Sequence, residues 1–254
     1  MRDSVVQIAR RAGALLLEGL ERPPEVELKS AFEVVTAIDR ASEALIVSAI
    51  QEAFPKHGIL GEEGSDIKPD AEYRWVIDPL DGTNNYAHGF PFFCVSIALV
   101  HHDSPILGVV FDPIRDELFV AEAGKGASCN ERPIHVSPTP HLAAALVSTG
   151  FPYDFGTRHD NNALQFSRIQ ARTQGVRRPG SAALDLSYVA CGRLDAHWEL
   201  RLSPWDSAAG ALLVREAGGL VTTWTGAAWT PWSDRMIAAN PAIHAELVAL
   251  LAEE

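Results

Sequence analysis

Cysteine is scarce in this chain. Cys94, Cys129 and Cys191 are three residues in 254, far apart and odd in number. Without a CxxC pair, neither a disulfide framework nor a zinc knuckle is supported. A reducing, cytoplasmic setting is the expectation. Long apolar runs are also missing. The longest candidate, FFCVSIALV (92–100), falls well short of the ~18 residues of a membrane span and suits a buried strand. No membrane contact is expected. The N-terminus threads Arg2, Asp3, Arg10, Arg11 and Glu18 through its apolar pattern, which makes an amphipathic helix and not a signal-peptide core. Positive charge is in deficit, with Lys and Arg at 21 against Asp and Glu at 33, a net charge of −12. Nucleic-acid binding rests on neutralising phosphates with Lys and Arg, so direct binding is disfavoured. A small phosphorylated substrate is not excluded, because bound cations can reverse the local sign. Internal repeats and low-complexity tracts are absent.

What is present is an ordinary globular balance, 47% apolar and 21% charged, in a chain long enough for one large domain or two intimate halves. Apolar residues at Val5, Ile8, Ala9, Ala12, Leu15, Leu16 and Leu20 predict a helix over 4–20. Residues 21–35, with two prolines and mixed charge, read as a loop or edge hairpin. A second helix spans 37–54, with Thr36 and Asp39 fitting a capping box and Pro55 just past its end. Residues 73–78, 92–100, 105–113 and 116–123 are β-rich, the last three suggesting an antiparallel meander, and GKGASCN (124–130) reads as a tight turn. Beyond a seam near SPTPH (137–141) the pattern alternates: strand 145–150, helices 159–171 and 181–191, strand 195–200, helix 206–217, strands 220–224 and 236–240, helix 241–252. The expected division is an N-terminal α+β half, 1–137, and a C-terminal α/β half, 138–254, with a site between them.

The chemistry gathers around DPLDGT (78–83). Asp78 ends an expected buried strand, Pro79 presets a turn, and Asp81 returns toward Asp78. Gly82 permits close backbone approach, and a helix start at 82–86 offers free N–H groups to an anion. The same hexapeptide also reads as a capped turn. GEEG (61–64) adds Glu62 or Glu63, which alone fit a solvated acidic loop. WDSAAG (205–210) adds Asp206, which alone fits an N-cap. Together Glu62, Asp78, Asp81 and Asp206 form an oxygen-only set without histidine or cysteine. Such a set favours Mg²⁺ first and Mn²⁺ second, in the arrangement of two-metal phosphoryl chemistry.

GEE (61–63), WVIDPLDGTNNY (75–86) and WDSAAG (205–210) resemble, in order, the motifs of the inositol monophosphatase family, closest to its bacterial members. VVTAID (34–39), RRPGSAALDLSYVACGRLDAHWE (177–199) and REAGG (215–219) extend the likeness over nearly the whole chain. The resemblance implies a mixed α and β fold, a layered αβαβα sandwich. It implies a Mg²⁺-dependent, Li⁺-sensitive phosphomonoesterase acting on myo-inositol monophosphate through a metal-activated water, with two to three ions. Glu62, Asp78 and the Leu80 carbonyl would hold the first metal, and Asp78, Asp81 and Asp206 the second. A third would lean on Glu62 and waters. Thr83 would pair with Asp39 to orient and deprotonate the water, Gly82 and Thr83 N–H groups would hold phosphate, and Ala182 and Glu199 would face substrate. Lys29 falls where the family has a mobile loop, or is an exposed loop lysine. A homodimer is implied, with RRPGSAALDL as a possible contact.

Tyr86 stands where the family usually has Phe, placing a hydroxyl near the expected site wall, and Ser181 replaces a frequent Thr. Histidinol phosphate, fructose 1,6-bisphosphate and adenosine 3′,5′-bisphosphate are competing substrates on the same metal motifs. Two other classes are weighed: a haloacid-dehalogenase-type phosphatase with an Asp nucleophile, and a non-enzymatic partner in transcription or ribosomal RNA maturation. His88 and His197 are expected at the surface or behind the site, Arg172, Arg177 and Arg178 on a solvated face or interface, and Trp224, Trp229 and Trp232 in packing.

Overall fold

The structure is a computed structural model and describes residues 1–21, 26–28 and 34–252. The N-terminal elements are α1 (Arg2–Leu20), β1 (Val26–Leu28), β2 (Val34–Thr36), α2 (Ala37–Ala53), β3 (Gly58–Gly61), β4 (Asp66–Ile67), β5 (Tyr73–Asp81) and α3 (Thr83–Ala87). They continue with β6 (Cys94–His101), β7 (Ser104–Asp112), β8 (Glu117–Glu122), β9 (Ala127–Cys129) and β10 (Arg132–Pro133). The C-terminal elements are β11 (Leu146–Thr149), α4 (Ala163–Gln170), β12 (Gly175–Arg177), α5 (Ala182–Ala190), β13 (Ala196–Leu200), α6 (Pro204–Glu216), β14 (Leu220–Thr222), β15 (Arg235–Ala239) and α7 (Pro241–Ala252).

An eight-stranded sheet has the order β10-β9-β8-β7-β6-β5-β3-β4, and a five-stranded sheet the order β12-β11-β13-β15-β14. Strands β5 to β8 form the antiparallel meander, while β3 runs parallel to β5. β1 and β2 pair antiparallel apart from both sheets.

Three apolar clusters join five layers, the middle one reaching both sheets across α5 and α6. The first joins α1 and α2 to one face of the large sheet through Leu16, Ile46, Ile50, Trp75, Ile77 and Ile97. The second joins the opposite face to α5 and α6 through Val76, Ala98, Leu186 and Leu213. The third joins the small sheet to α4 and α7 through Trp198, Ile237, Ile243 and Leu247. Alternate residues of β5 and β6 thus enter different clusters, as the two-residue period of a strand requires. This is why FFCVSIALV is apolar at every position but Ser96: a strand covered on both faces has no polar side. The layered αβαβα fold expected from the sequence is the fold observed.

Local departures have identifiable causes. β5 does not stop at Asp78; it continues to Asp81 through an irregularity in its pairing with β6 between those residues. Pro79 lies inside this bulge, where no ladder N–H is required of it. α4 begins at 163 and not 159, after Asn162 adopts a left-handed conformation (φ 71°). Asn162 is held there by bonds with Thr149, Gly150 and the Trp198 indole. GKGASCN is a turn only to Gly126, after which Ala127–Cys129 forms β9. The short strands β3, β4, β10 and β12 lack a distinct pattern in the sequence. Trp224 and Trp229 are packed inside, but Trp232 is 46% exposed and donates its indole N–H to Asp103.

The central layer is tight. Gly210 of α6 faces Leu186 of α5, and a β-carbon there would lie 2.5 Å from Leu186 Cβ. Gly210→Ala should therefore lower stability by about 1–3 kcal/mol, despite the helix-propensity gain of about 1 kcal/mol. The urea midpoint should fall at unchanged slope.

Candidate active site

The distant acidic motifs meet for reasons written in the pairing. β3 and β5 run parallel with Gly61 opposite Ile77, and Glu62 N–H donates to the Ile77 carbonyl at 3.1 Å. Glu62 is therefore set down beside Asp78. On the other side Asp78 pairs across β6 with Ser96. Ser96 Oγ donates to the Trp205 carbonyl at 3.2 Å, which fastens the start of α6 over the strand and brings up Asp206. Asp81, at the end of the bulge, is gripped by the first turn of α5: Ser181 Oγ and Ala183 N–H each donate to Oδ2 at 2.7 Å.

One cavity of about 1080 Å³ is lined by Glu62, Asp78, Leu80, Asp81, Gly82, Thr83, Ala182, Glu199 and Asp206, among others. Asp39 lies behind Thr83. Its carboxylate is divided: Oδ2 accepts from Thr36 N–H at 2.9 Å and Thr36 Oγ1 at 2.5 Å, completing the expected capping box. Oδ1 lies 2.9 Å from the Thr83 hydroxyl, which is also 3.0 Å from the Leu80 carbonyl. The cap and the link to Thr83 are thus compatible uses of one side chain. Gly82 precedes α3 with φ +97°, and a β-carbon there would meet the Phe92 carbonyl at 2.9 Å; only glycine suits both demands.

Asp206 is not the N-cap of α6. Ser203 is, with Pro204 following, and Asp206 closes a capping box by accepting from Ser203 N–H at 2.7 Å. One carboxylate oxygen holds the helix end while the side chain keeps part of its surface open to the cavity. Tyr86 contradicts the expectation of a hydroxyl at the site wall. Its ring is buried against Phe93 and its O–H donates to the Leu16 carbonyl of α1 at 2.8 Å. Arg172, Arg177 and Arg178 are all exposed, as expected, and Arg178 in addition lies over the Phe151 ring where it lines the cavity. His88 is exposed; His197 is fully buried. His101 ends β6, and with Glu72 and His102 it makes a group far along the strand from Asp78. Lys29 lies outside the described residues.

Several supporting residues carried weak sequence signals. Glu43 binds Glu63 N–H at 2.8 Å and Ser65 N–H and Oγ at 3.1 and 2.7 Å, bracing the Glu62 loop. Ser42 Oγ donates to the Pro79 carbonyl at 2.9 Å, fixing the bulge. A signal existed for Glu43: it falls on the core-facing stripe of α2 with Asp39, Ile46 and Ile50, where a charge needs a buried partner. Asn85 amide donation to the Phe92 and Pro179 carbonyls, at 2.7 and 2.8 Å, left no such trace.

The electrostatics state what the site lacks. Burial, then Glu62, Asp81 and Asp206, push the Asp78 carboxyl well above the usual range. Burial, then Asp81 and Glu62, do the same to Asp206. Asp81 is raised to about 6, burial outweighing its bonds from Ser181 and Ala183. Carboxylates so placed repel one another unless positive charge enters.

A model of the inositol monophosphatase family matches residues 1–254. The chain belongs to the inositol monophosphatase family. It is 46% identical over 243 residues to an inositol-1-monophosphatase of Synechocystis sp., covering 95% of this chain and 85% of that one. It is 47% identical over 233 residues to the Nus factor SuhB of Pseudomonas aeruginosa, covering 89% and 86%. The solved inositol monophosphatase of Anabaena (Nostoc) sp. superposes with a TM-score of 0.91 at 47% identity, over 98% of this chain and 94% of that one. Family membership sets aside the haloacid-dehalogenase reading and supports a phosphatase. The family is generally Mg²⁺-dependent, and the residues present fit such an ion: the converging donors are all oxygens, and the charges that act on Asp78 and Asp206 are those of other carboxylates.

The raised carboxyls make a testable statement about the metal-free protein. Their folded-state values lie above the ordinary aspartate value of 3.8, so the folded chain binds more protons than the unfolded one. Metal-free stability should therefore fall as pH rises from about 4 through about 6, where Asp81 titrates, and stay low above. At pH 7.5 in EDTA, Asp78→Asn should raise the melting temperature, by roughly 2–4 °C per kcal/mol of relieved repulsion. Thermal melts of both proteins across pH check this.

Proposed function

We propose that this protein is a Mg²⁺-dependent phosphomonoesterase whose substrate is myo-inositol monophosphate or a similar small polyol phosphate. The observation that carries this reading is the convergence of Glu62, Asp78, Asp81 and Asp206 on one cavity beside the Thr83–Asp39 pair. In this reading Glu62, Asp78 and the Leu80 carbonyl would hold one cation, and Asp78, Asp81 and Asp206 would hold a second. Bound divalent cations supply Lewis acidity that eases water deprotonation and balances charge on the phosphoryl and leaving oxygens. The chain does the rest by position. Asp39 accepts the Thr83 hydroxyl proton, so the Thr83 oxygen presents lone pairs to an attacking water and can take its proton onward. The turn at Gly82 and Thr83 faces phosphate with backbone N–H groups. Glu199 and the Ala182 end of α5 face the alcohol portion. Hydrolysis by water needs no covalent enzyme intermediate.

The substrate assignment is supported by the Synechocystis relative named for inositol 1-monophosphate hydrolysis. Relatives named Nus factor SuhB favour a second reading, a role as a protein partner in transcription, alongside or in place of catalysis. A pull-down recovering transcription factors equally with wild type and Asp78→Asn would support it.

The catalytic reading is tested by phosphate release from inositol 1-phosphate, histidinol phosphate, fructose 1,6-bisphosphate and adenosine 3′,5′-bisphosphate. Inositol 1-phosphate should give the highest kcat/KM, with activity requiring Mg²⁺ and inhibited by Li⁺. Asp78→Asn and Asp206→Asn should abolish release, and Thr83→Val should lower kcat by about 10²–10⁴, the range for a lost general acid–base group. Full activity in EDTA would sink the mechanism.

A further inference from the structure

Beside Glu199, the part of the cavity formed by β13 and α5 holds buried polar groups that the chemistry above leaves unused. His197 is completely buried on β13, two residues before Glu199 and so on the same face of the strand. Ser148 of β11 is its direct cross-strand neighbour, with Oγ 3.0 Å from His197 Nδ1. Asp185 of α5, 2% exposed, approaches the same nitrogen to 3.8 Å through Oδ2. On the other side of the ring, His197 Nε2 lies 3.2 Å from Glu199 Oε2. The imidazole is thus wedged between two carboxylates that both line the cavity. Gly150 leaves the space: a β-carbon there would overlap the Glu199 carboxylate.

Two atoms of this cluster are unsatisfied. Among the described residues, Asp185 Oδ1 and His197 Nε2 are buried without a hydrogen-bond partner, although Glu199 Oε2 lies 3.2 Å from the Nε2. A buried carboxylate oxygen without a donor is costly, and native chains keep few of them without a use. Burial and the neighbouring Glu199 and Asp81 also push the Asp185 carboxyl well up. What the pair of carboxylates lacks is hydrogen-bond donors arriving from the cavity. Adjacent hydroxyl groups of a polyol supply them.

We propose that Asp185 joins Glu199, already assigned to the alcohol portion, in binding substrate hydroxyl groups, and that His197 is the positioning residue wedged between the two carboxylates. The inference rests on the polyol-phosphate reading given above and deepens it. The ring keeps the two acidic groups apart, pins Glu199 over Gly150, and through Ser148 ties the subsite to the neighbouring strand. His197 itself does not touch the reacting phosphate.

The test compares steady-state kinetics on inositol 1-phosphate and on phenyl phosphate, which carries no hydroxyl groups on its leaving portion. With Mg²⁺ present, His197→Phe should raise the KM ratio of inositol 1-phosphate to phenyl phosphate by about tenfold, while the kcat ratio moves less than about twofold, the pattern of lost uniform binding. His197→Gln, which restores a donor, should recover most of the ratio. Asp185→Asn should raise it in the same direction and serves if His197→Phe does not fold. In a Glu199→Gln background, His197→Phe should add less than about twofold, because the two act as one unit. Equal losses on both substrates, or an unmoved ratio, or full additivity with Glu199→Gln, would overturn the subsite while leaving the phosphatase reading intact. Absence of phosphate release by wild type from either substrate would overturn that reading and the subsite with it.

Discussion

Mutual repulsion among buried carboxylates is the constraint around which this molecule is arranged. Asp78 and Asp81 sit inside, and Glu62 and Asp206 close on them from other segments. No fold would place these groups together for stability. The surrounding structure therefore spends its strongest local devices on holding them. A pairing irregularity aims two aspartates, two capping boxes hold Asp39 and Asp206, and the first turn of α5 holds Asp81. Each device satisfies one oxygen of its carboxylate with the backbone. The remaining oxygen is thereby oriented without being neutralised.

That division of labour explains why local and functional readings of the same residue need not compete. Asp39 and Asp206 are ordinary helix-start residues by sequence, and the structure uses them so. Their fixed rotamers then become an asset to the cavity, because a side chain locked by its own helix does not have to be ordered when substrate arrives.

The layered fold and the acidic set were legible because they depend on patterns local in sequence: period-2 strands, period-3.6 helices, and motifs with distinctive spacing. What escaped depended on long-range pairing. Asp78 reads as a strand end because Pro79 follows, yet a bulge absorbs the proline, and bulges have no fixed sequence mark. Tyr86 reads as a site-wall hydroxyl because its sequence neighbours lie there, but a side chain's direction is set by helix geometry, which turns this hydroxyl toward Leu16. The sequence puts His197 near the site; its place between Asp185 and Glu199 follows from the packing of α5 against β13. Glu43 was the exception, visible in principle as a charge on an apolar stripe.

The order of the strands along the chain carries a further consequence. Every strand of the large sheet precedes residue 134, while the helices that cover its second face, α5 and α6, begin at Ala182 and Pro204. During synthesis the sheet can therefore assemble with one apolar face packed by α1 and α2 and the other still bare, since folding proceeds from the N-terminus. The face stays open until the segment bearing Ser181 and Asp206 emerges and docks. Covering that surface and completing the acidic pocket are the same event. A nascent or truncated chain thus cannot present a finished site, and the interval before docking is when this protein is most exposed to association with other chains.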